Sequence, residues 1–308
     1  MSNPAAAAIG RTRVRRDILA PWPSQAMLGL LDRDPDGIGE DDPLPLGWHW
    51  LYFNVPLRAA RLGTDGHEER GAFLPAVDLP RRMWAGGELR SLGPIRLGAP
   101  AELRSEIHSV DEKRGRRGRL VFITVDHTVL QDGYQCVHEK QVIVYIGSQP
   151  PTAPHSPAPA PQGRVPAPEW TRTFLPTTTT LFQFSALTYN PHRIHYDHPY
   201  ATGQEGYPGL LVHGPLTALL LLDAAARHAP APPAHFRYRA LAPLYADEPI
   251  TLAGRSEPSP GEDAEHAGRS EPQPAADAGH PGRVSSPTER MVEALGPTGT
   301  VAMRGWVS

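Results

Sequence analysis

The 308-residue chain has one cysteine, Cys136, so it can form neither an intrachain disulfide nor a thiolate metal cluster. Lysine is almost as scarce. Lys113 and Lys140 are the only two among thirty basic residues. With alanine and proline in excess, the arginine content reads as GC-rich coding bias more than as a binding device. Neither sign of charge dominates: the formal net charge is −3 and the pI about 6.5. That balance offers nothing to nucleic acid or to an anionic membrane surface. No apolar run reaches the roughly 20 residues of a bilayer span; the longest, 216–226, contains Asp223. The start, "MSNPAAAAIGRTRVRRD", puts arginines after its apolar alanines, the reverse of a secretory signal. Its acid-free, Arg-rich character up to Asp17 would also suit a mitochondrial transit peptide, but a bacterial cytoplasmic enzyme is the expected setting.

What is abundant is proline, and it is concentrated. Residues 148–169, within "GSQPPTAPHSPAPAPQGRVPAPEW", have almost nothing to bury and read as an extended linker. Residues 254–289 lack Val, Ile, Leu and aromatics apart from Val284, and repeat "GRSEP". Such a composition cannot offset the entropy of ordering, which predicts a disordered surface insertion. The expected organisation is an N-terminal half, 9–147, the linker at 148–169, and a C-terminal half, 170–308, carrying the insertion.

Each half reads as α+β, a helix with several antiparallel strands. In the first, "WPSQAMLGLLD" predicts a helix with Ser24 as N-cap. "PIRLG", "AELRSEIHSV", "RLVFITVDHTVLQ" and "YQCVHEKQVIVYI" predict strands. In the second, "TTTTLFQFSALT", "AHFRYRALAPLY", "EPITLAG", "MVEALG" and "VAMRGWV" predict strands. "PLTALLLLDAAARHA" predicts a helix that is apolar almost all round and must therefore be buried. "MWAGGELRSLGPIRLGA" and "FRYRALAPLYADEPITLAG" share a Pro-Ile-x-Leu ending, a short match that suggests duplication.

Four of the fourteen histidines lie between His192 and His213, just before that apolar helix. "NPHRIHYDHP" has two prolines and no helical period, so it predicts a loop, either merely solvated or carrying chemistry. Pro215 suits a first helical turn, where its missing N–H costs nothing. Gly214 then falls at the N-cap, where free N–H groups and the positive end of the dipole could hold an oxyanion. The plainer reading is that Gly-Pro only starts a core helix.

These residues resemble a family. "FSALTYNPHRIHYD" followed by "YPGLLVHGPL" is similar to the hydratase signature of MaoC-like acyl-thioester dehydratases. The wording is closer to the branch that contains hydroxyacyl-thioester dehydratase type 2 and the mesaconyl-C4-CoA and itaconyl-CoA hydratases. "GWHWLYF", "GAFLPAVDLPRRMWAGGEL" and "GRLVFITVDHTV" are similar to the non-catalytic first half of those two-part enzymes. The resemblance implies a double hot dog, two curved antiparallel sheets each wrapped on a central helix. It also implies a hydro-lyase that needs no cofactor or metal and takes an acyl-CoA thioester. Neither nucleic acid nor membrane is expected as a partner, and the chain would act as a monomer or a homodimer.

By the same resemblance His195 is the general base and the Gly214 N–H the oxyanion donor. Asn190 stands where the wider family has aspartate; asparagine can hold a water but cannot take its proton. Substrate contacts are expected from His192, His213, Tyr207, Trp84 and Gly86, and from Arg193 on a carboxylate or a CoA phosphate. The competing readings are a surface role for Arg193, local packing for His213, and a bulged core strand for Trp84 to Glu88. Asp197 is expected to orient the loop. A short branched dicarboxylic acyl-CoA is the expected substrate, with a fatty 3-hydroxyacyl thioester or a non-catalytic thioester-binding role as alternatives. A thioesterase would need a carboxylate at the helix start, and Asp223 lies almost three turns in.

Overall fold

The computed structural model describes residues 4–115, 118–147, 167–256 and 289–308. The expected linker and insertion fall largely outside them. Among the described residues ten strands form one sheet. They are β1 (Thr12–Ile18), β2 (Arg81–Ser91), β3 (Pro100–Gly115), β4 (Gly118–Gln131), β5 (Tyr134–Ile146), β6 (Trp170–Phe174), β7 (His235–Ala240), β8 (Ile250–Ser256), β9 (Arg290–Leu295) and β10 (Val301–Val307). The β-branched runs at 121–129 and 142–144 form the long β4–β5 hairpin, closed by Asp132 and Gly133 at φ 52° and 82°. Both central residues of a type I′ turn need that left-handed geometry.

The strand order is β1-β3-β4-β5-β2-β7-β10-β9-β8-β6. Counted from the centre, both halves run second, fifth, fourth, third, first, so one topology is repeated about a β2–β7 seam. The two sheets expected are therefore hydrogen-bonded into one. The short sequence match does not follow this repeat. Pro249-Ile250 opens β8, whereas "PIRLG" lies in the loop before β3 and makes only an isolated bridge, Arg96 to Pro43.

At the seam Gly86 pairs with Arg239 and Gly87 with Tyr238. A Cβ on Gly86, whose φ is 155°, would lie 2.5 Å from the Tyr238 carbonyl oxygen. Only glycine lets these strands approach, and the register of β2 against β5 shifts between Trp84 and Gly86 to accommodate them. The bulged-strand reading of this stretch matches that geometry.

Among the described residues there are three α-helices, α1 (Pro21–Leu30), α2 (Thr178–Leu187) and α3 (Gly214–Arg227), besides short 3-10 and π-helical turns. In α3 every residue from Leu216 to Ala225 is buried, as its all-round apolar face requires, and it packs on β7 to β10. The first half differs. Its α1 is short and packs against α2 and the turn Trp48–Leu51 rather than filling its own sheet. Instead Arg11, just before β1, and the inner residues of β1 strap irregular chain across that sheet: Arg11 to Phe73, Arg13 to Glu68, Arg15 and Asp17 to Phe53.

Two local expectations change. "TTTTLFQFSALT" is helical: Thr177 caps α2 by accepting the Thr180 N–H at 3.2 Å, and Leu181, Phe184 and Ser185 bury one helical face. The threonines cluster where capping outweighs their strand preference. Ser24 is not an N-cap. Pro21 and Pro23 suit the first turn, so the helix begins earlier, at Ala20, and buried Ser24 bonds the Tyr52 hydroxyl at 2.8 Å. No helix among the described residues is long and apolar enough to cross a membrane.

Asp223, 8% exposed inside α3, bonds Arg33 at 3.0 Å, Arg172 at 2.9 Å and Arg227 at 2.9 Å. It ties the helix to β6 and to the first half, so the one carboxylate of α3 is engaged in ion pairs. Replacing Asp223 with alanine removes charge-assisted bonds of about 1.5–3 kcal/mol in sum after solvent screening of the arginines. We expect a Tm lower by roughly 3–12 °C by differential scanning calorimetry; an unchanged Tm would mean the cluster is incidental.

Candidate active site

The site forms where α3 begins. His213 is the N-cap, Gly214 the first helical residue and Pro215 the second, so the helix starts one residue earlier than the sequence suggested. The Gly214 N–H has no intrahelical carbonyl to reach, and Pro215 has no N–H at all. Trp84 of β2 lies directly against it: a Cβ on Gly214 would sit 3.3 Å from the Trp84 Cβ. The Trp84 indole N–H donates to the Tyr238 hydroxyl at 2.7 Å, fixing the ring.

His195 closes the turn Arg193–His195, and the Leu211 N–H donates to the Ile194 carbonyl at 3.0 Å, docking that turn on the segment before α3. His195 Nδ1 lies 2.8 Å from the Leu211 carbonyl oxygen. A carbonyl only accepts, so Nδ1 carries the proton and Nε2 keeps its lone pair. The ring stacks on His213 at 3.6 Å between centroids, one residue before Gly214. Burial pushes His195 down to about 4; the Leu211 carbonyl opposes this and His67 adds to it. His213 Nε2 bonds the Ser185 hydroxyl at 2.8 Å, and burial, with His195 and His192 beside it, holds His213 well below the ordinary imidazole range.

A cavity of about 1670 Å³ runs between the halves and is lined by His195, Asn190, His192, Gly214, Trp84, Gly86 and Tyr207, among others. These expected site residues are thus brought together. Asn190 Oδ1 accepts the His192 N–H at 3.1 Å, so its NH₂ end is the one left without a partner among the described residues. Two expected contacts lie elsewhere. His213 packs behind the wall. Arg193 is pinned by Asp197 at 2.7 Å, by the Thr64 carbonyl at 3.0 Å and over the Tyr200 ring at 4.1 Å, so its guanidinium is already engaged. Asp197 does orient the loop: it holds Arg193 and accepts the Tyr200 N–H at 3.0 Å.

Three residues of the first half reach this site without having been singled out: Asp65, His67 and Arg82. Gly66, at φ 91°, lets the 63–67 loop press on the second half; a Cβ there would fall 1.9 Å from the Pro191 carbonyl oxygen. The Arg193 N–H donates to the Asp65 carbonyl at 3.0 Å. Asp65 Oδ2 meets His67 Nδ1 at 3.2 Å, and His67 lies 4.1 Å from His192 between centroids. Burial, then the Arg82 charge, push His67 down to about 4, against the pull of Asp65. His192 is likewise lowered, by burial first and then by His67 and His195. Ligand atoms of Asp65, His67 and His192 lie within 4.8 Å of one another, donor types that suit a divalent cation, but Arg82 borders the same space and works against one. The only sequence signal was "DGHEER", in a stretch without period.

Against known proteins, the hydroxyacyl-thioester dehydratase type 2 family model matches residues 47–246. Mesaconyl-C(4)-CoA hydratase of Chloroflexus aurantiacus is 43% identical over 248 residues, 80% of this chain and 87% of the relative. The mitochondrial hydroxyacyl-thioester dehydratase type 2 of Schizosaccharomyces pombe is 26% identical over 67% of this chain and 76% of its own. Among solved structures, a MaoC-like dehydratase superposes at TM-score 0.66 with 13% identity, over 98% of both chains. HtdX of Mycobacterium tuberculosis gives 0.59 with 15% identity, over 96% of this chain and 98% of its own.

The lowered imidazoles have a measurable sign. His67 and His195 bind protons near 6.5 when unfolded but only near 4 when folded. The unfolded chain therefore holds more protons in between, so stability is full above about pH 6.5 and declines as pH falls towards about 4. Ring ¹⁵N shifts should report His195 neutral, with Nδ1 protonated, down to about pH 4. A midpoint near 6.5 would mean that water reaches the ring.

Proposed function

The chain belongs to the hydroxyacyl-thioester dehydratase type 2 family, and from there we propose that it adds water across the double bond of a short branched dicarboxylic enoyl-CoA, mesaconyl-C4-CoA or itaconyl-CoA. It is a hydro-lyase, and the observation that carries the chemistry is His195. With Nδ1–H held by the Leu211 carbonyl, its Nε2 is a neutral acceptor beside the start of α3.

Nε2 takes a proton from water as the oxygen bonds to Cβ. The π electrons move to the thioester oxygen, whose negative charge meets the Gly214 N–H and the helix dipole. When the enolate collapses, Cα takes a proton back from His195. Asn190 contributes by holding the water through its free NH₂ end, and acid–base work falls to His195. Tyr207 and Trp84 close the acyl pocket.

The repeated strand order supports reading the chain as a double hot dog, with a first half at 9–147 whose helix has withdrawn from its sheet and a catalytic second half at 170–308. That withdrawal leaves the space the cavity occupies. The dicarboxylic substrate is favoured by the 43% identity to a mesaconyl-C(4)-CoA hydratase. A second reading, dehydration of fatty 3-hydroxyacyl thioesters, draws on the family match and the yeast relative.

Purified protein should hydrate mesaconyl-C4-CoA, followed as loss of enoyl-thioester absorbance, in preference to crotonyl-CoA. The His195→Ala variant should lose roughly 10²–10⁴-fold in kcat. Equal rates for variant and wild type would remove His195 as the base. Preference for long apolar enoyl thioesters would favour the second reading.

A further inference from the structure

In the C4 thioester of mesaconate, the carbon that accepts water also carries the free carboxylate. The cation that recognises this carboxylate must therefore stand beside the base, not at the far end of a tunnel. We propose that Arg82, in the half read as non-catalytic, binds the free carboxylate of the acyl group and so selects a dicarboxylic substrate. The inference rests on the hydratase reading above and names the residue that sets its specificity.

Its position comes from the strand. Arg82 pairs with buried Tyr145 and Trp84 with Ile143, so both project from the inner face of β2. Trp84 lies on Gly214, and Arg82 lies one pleat away, on the wall of the same cavity as His192 and His195. Its charge is felt by Asp65, His67 and His192 alike. No carboxylate among the described residues forms an ion pair or hydrogen bond with it. Asp65, an acid that feels its charge, is occupied by the N–H and ring of His67 at 3.0 and 3.2 Å. A half-buried guanidinium facing a cavity without a partner is an incomplete fork, and a carboxylate is the planar anion that completes it.

The other arginines on the wall are already used. Arg13 bonds Glu68 at 3.1 Å, Arg81 bonds Glu205 at 3.1 Å, and Arg70 bonds the Val77 and Leu79 carbonyls. Arg15 holds the Phe53 carbonyl from the far edge strand β1. Lys140 and Arg239 alternate with Gln141 and Tyr238, so they project from the other face.

The test uses the full chain and the variants Arg82→Gln and Arg82→Lys, with folding checked by circular dichroism. The ratio of kcat/KM for mesaconyl-C4-CoA to that for crotonyl-CoA should fall on the order of 100-fold in Arg82→Gln. Arg82→Lys should recover part of it, keeping the charge but not the fork. An equal fall on both substrates would overturn the proposal, because the guanidinium would then serve CoA or the fold. Binding of the saturated analogues methylsuccinyl-C4-CoA and butyryl-CoA, by calorimetry, separates the two levels. If wild type does not hydrate mesaconyl-C4-CoA yet prefers the dicarboxylic analogue, and Arg82→Gln abolishes that preference, the carboxylate site stands and the hydratase reading falls. No preference in wild type would overturn the site itself.

Discussion

Antiparallel pairing of β2 with β7, over five residue pairs from Gly86–Arg239 to Arg90–His235, joins two strand sets that each repeat one topology. Everything at the site depends on how closely those strands approach. Without a Cβ at Gly86 the Tyr238 carbonyl can come near, and Tyr238 can then receive the Trp84 indole N–H. That bond sets the indole against Gly214, and the same strand face carries Arg82. A larger residue at Gly86 would push the halves apart and separate the first-half groups from the helix start they serve.

The second constraint is electrostatic. Four imidazoles, His67, His192, His195 and His213, meet in one contact chain, with centroid spacings of 4.1, 5.4 and 3.6 Å. So many rings can be packed this tightly only if they stay neutral, because each proton would face both burial and its neighbours' charge. Burial is the leading cause in each case. The same neutrality leaves His195 its Nε2 lone pair over a wide pH range.

A further buried polar group lies deeper in the first half. Glu139 bonds His49 at 2.8 Å and Trp50 at 2.9 Å, and Trp50 meets Trp84 edge-on at 5.3 Å. Burial raises the Glu139 carboxyl, but the His49 bond, the neighbouring imidazoles and the Trp50 N–H outweigh it and hold it below the ordinary carboxylate range.

Local chemistry made much of this legible in the sequence. The all-round apolar run at 216–225 and the β-branched stretches each admit one local solution, and the Asn190–His195 spacing with Val-His-Gly carried the family resemblance. Where two local signals competed, as in the threonines of α2 or the prolines before Ser24, the sequence misled, because capping and packing outweigh propensity. Of the first-half contribution, Trp84 and Gly86 were legible through the family resemblance, and both line the cavity; the rest was not. Asp65, His67 and Arg82 lie more than a hundred residues from His195, and what brings them to it is strand pairing at the seam, a long-range contact that composition and periodicity do not encode. The buried helix, the long strands β3 to β5 and the family-implied place of His195 follow from local sequence, whereas β1, β6 and the helical state of 178–187 do not. Tertiary structure decided which half completes the site, because only the close approach of two backbones at Gly86 and Gly66 puts a cation of one half beside the histidines of the other.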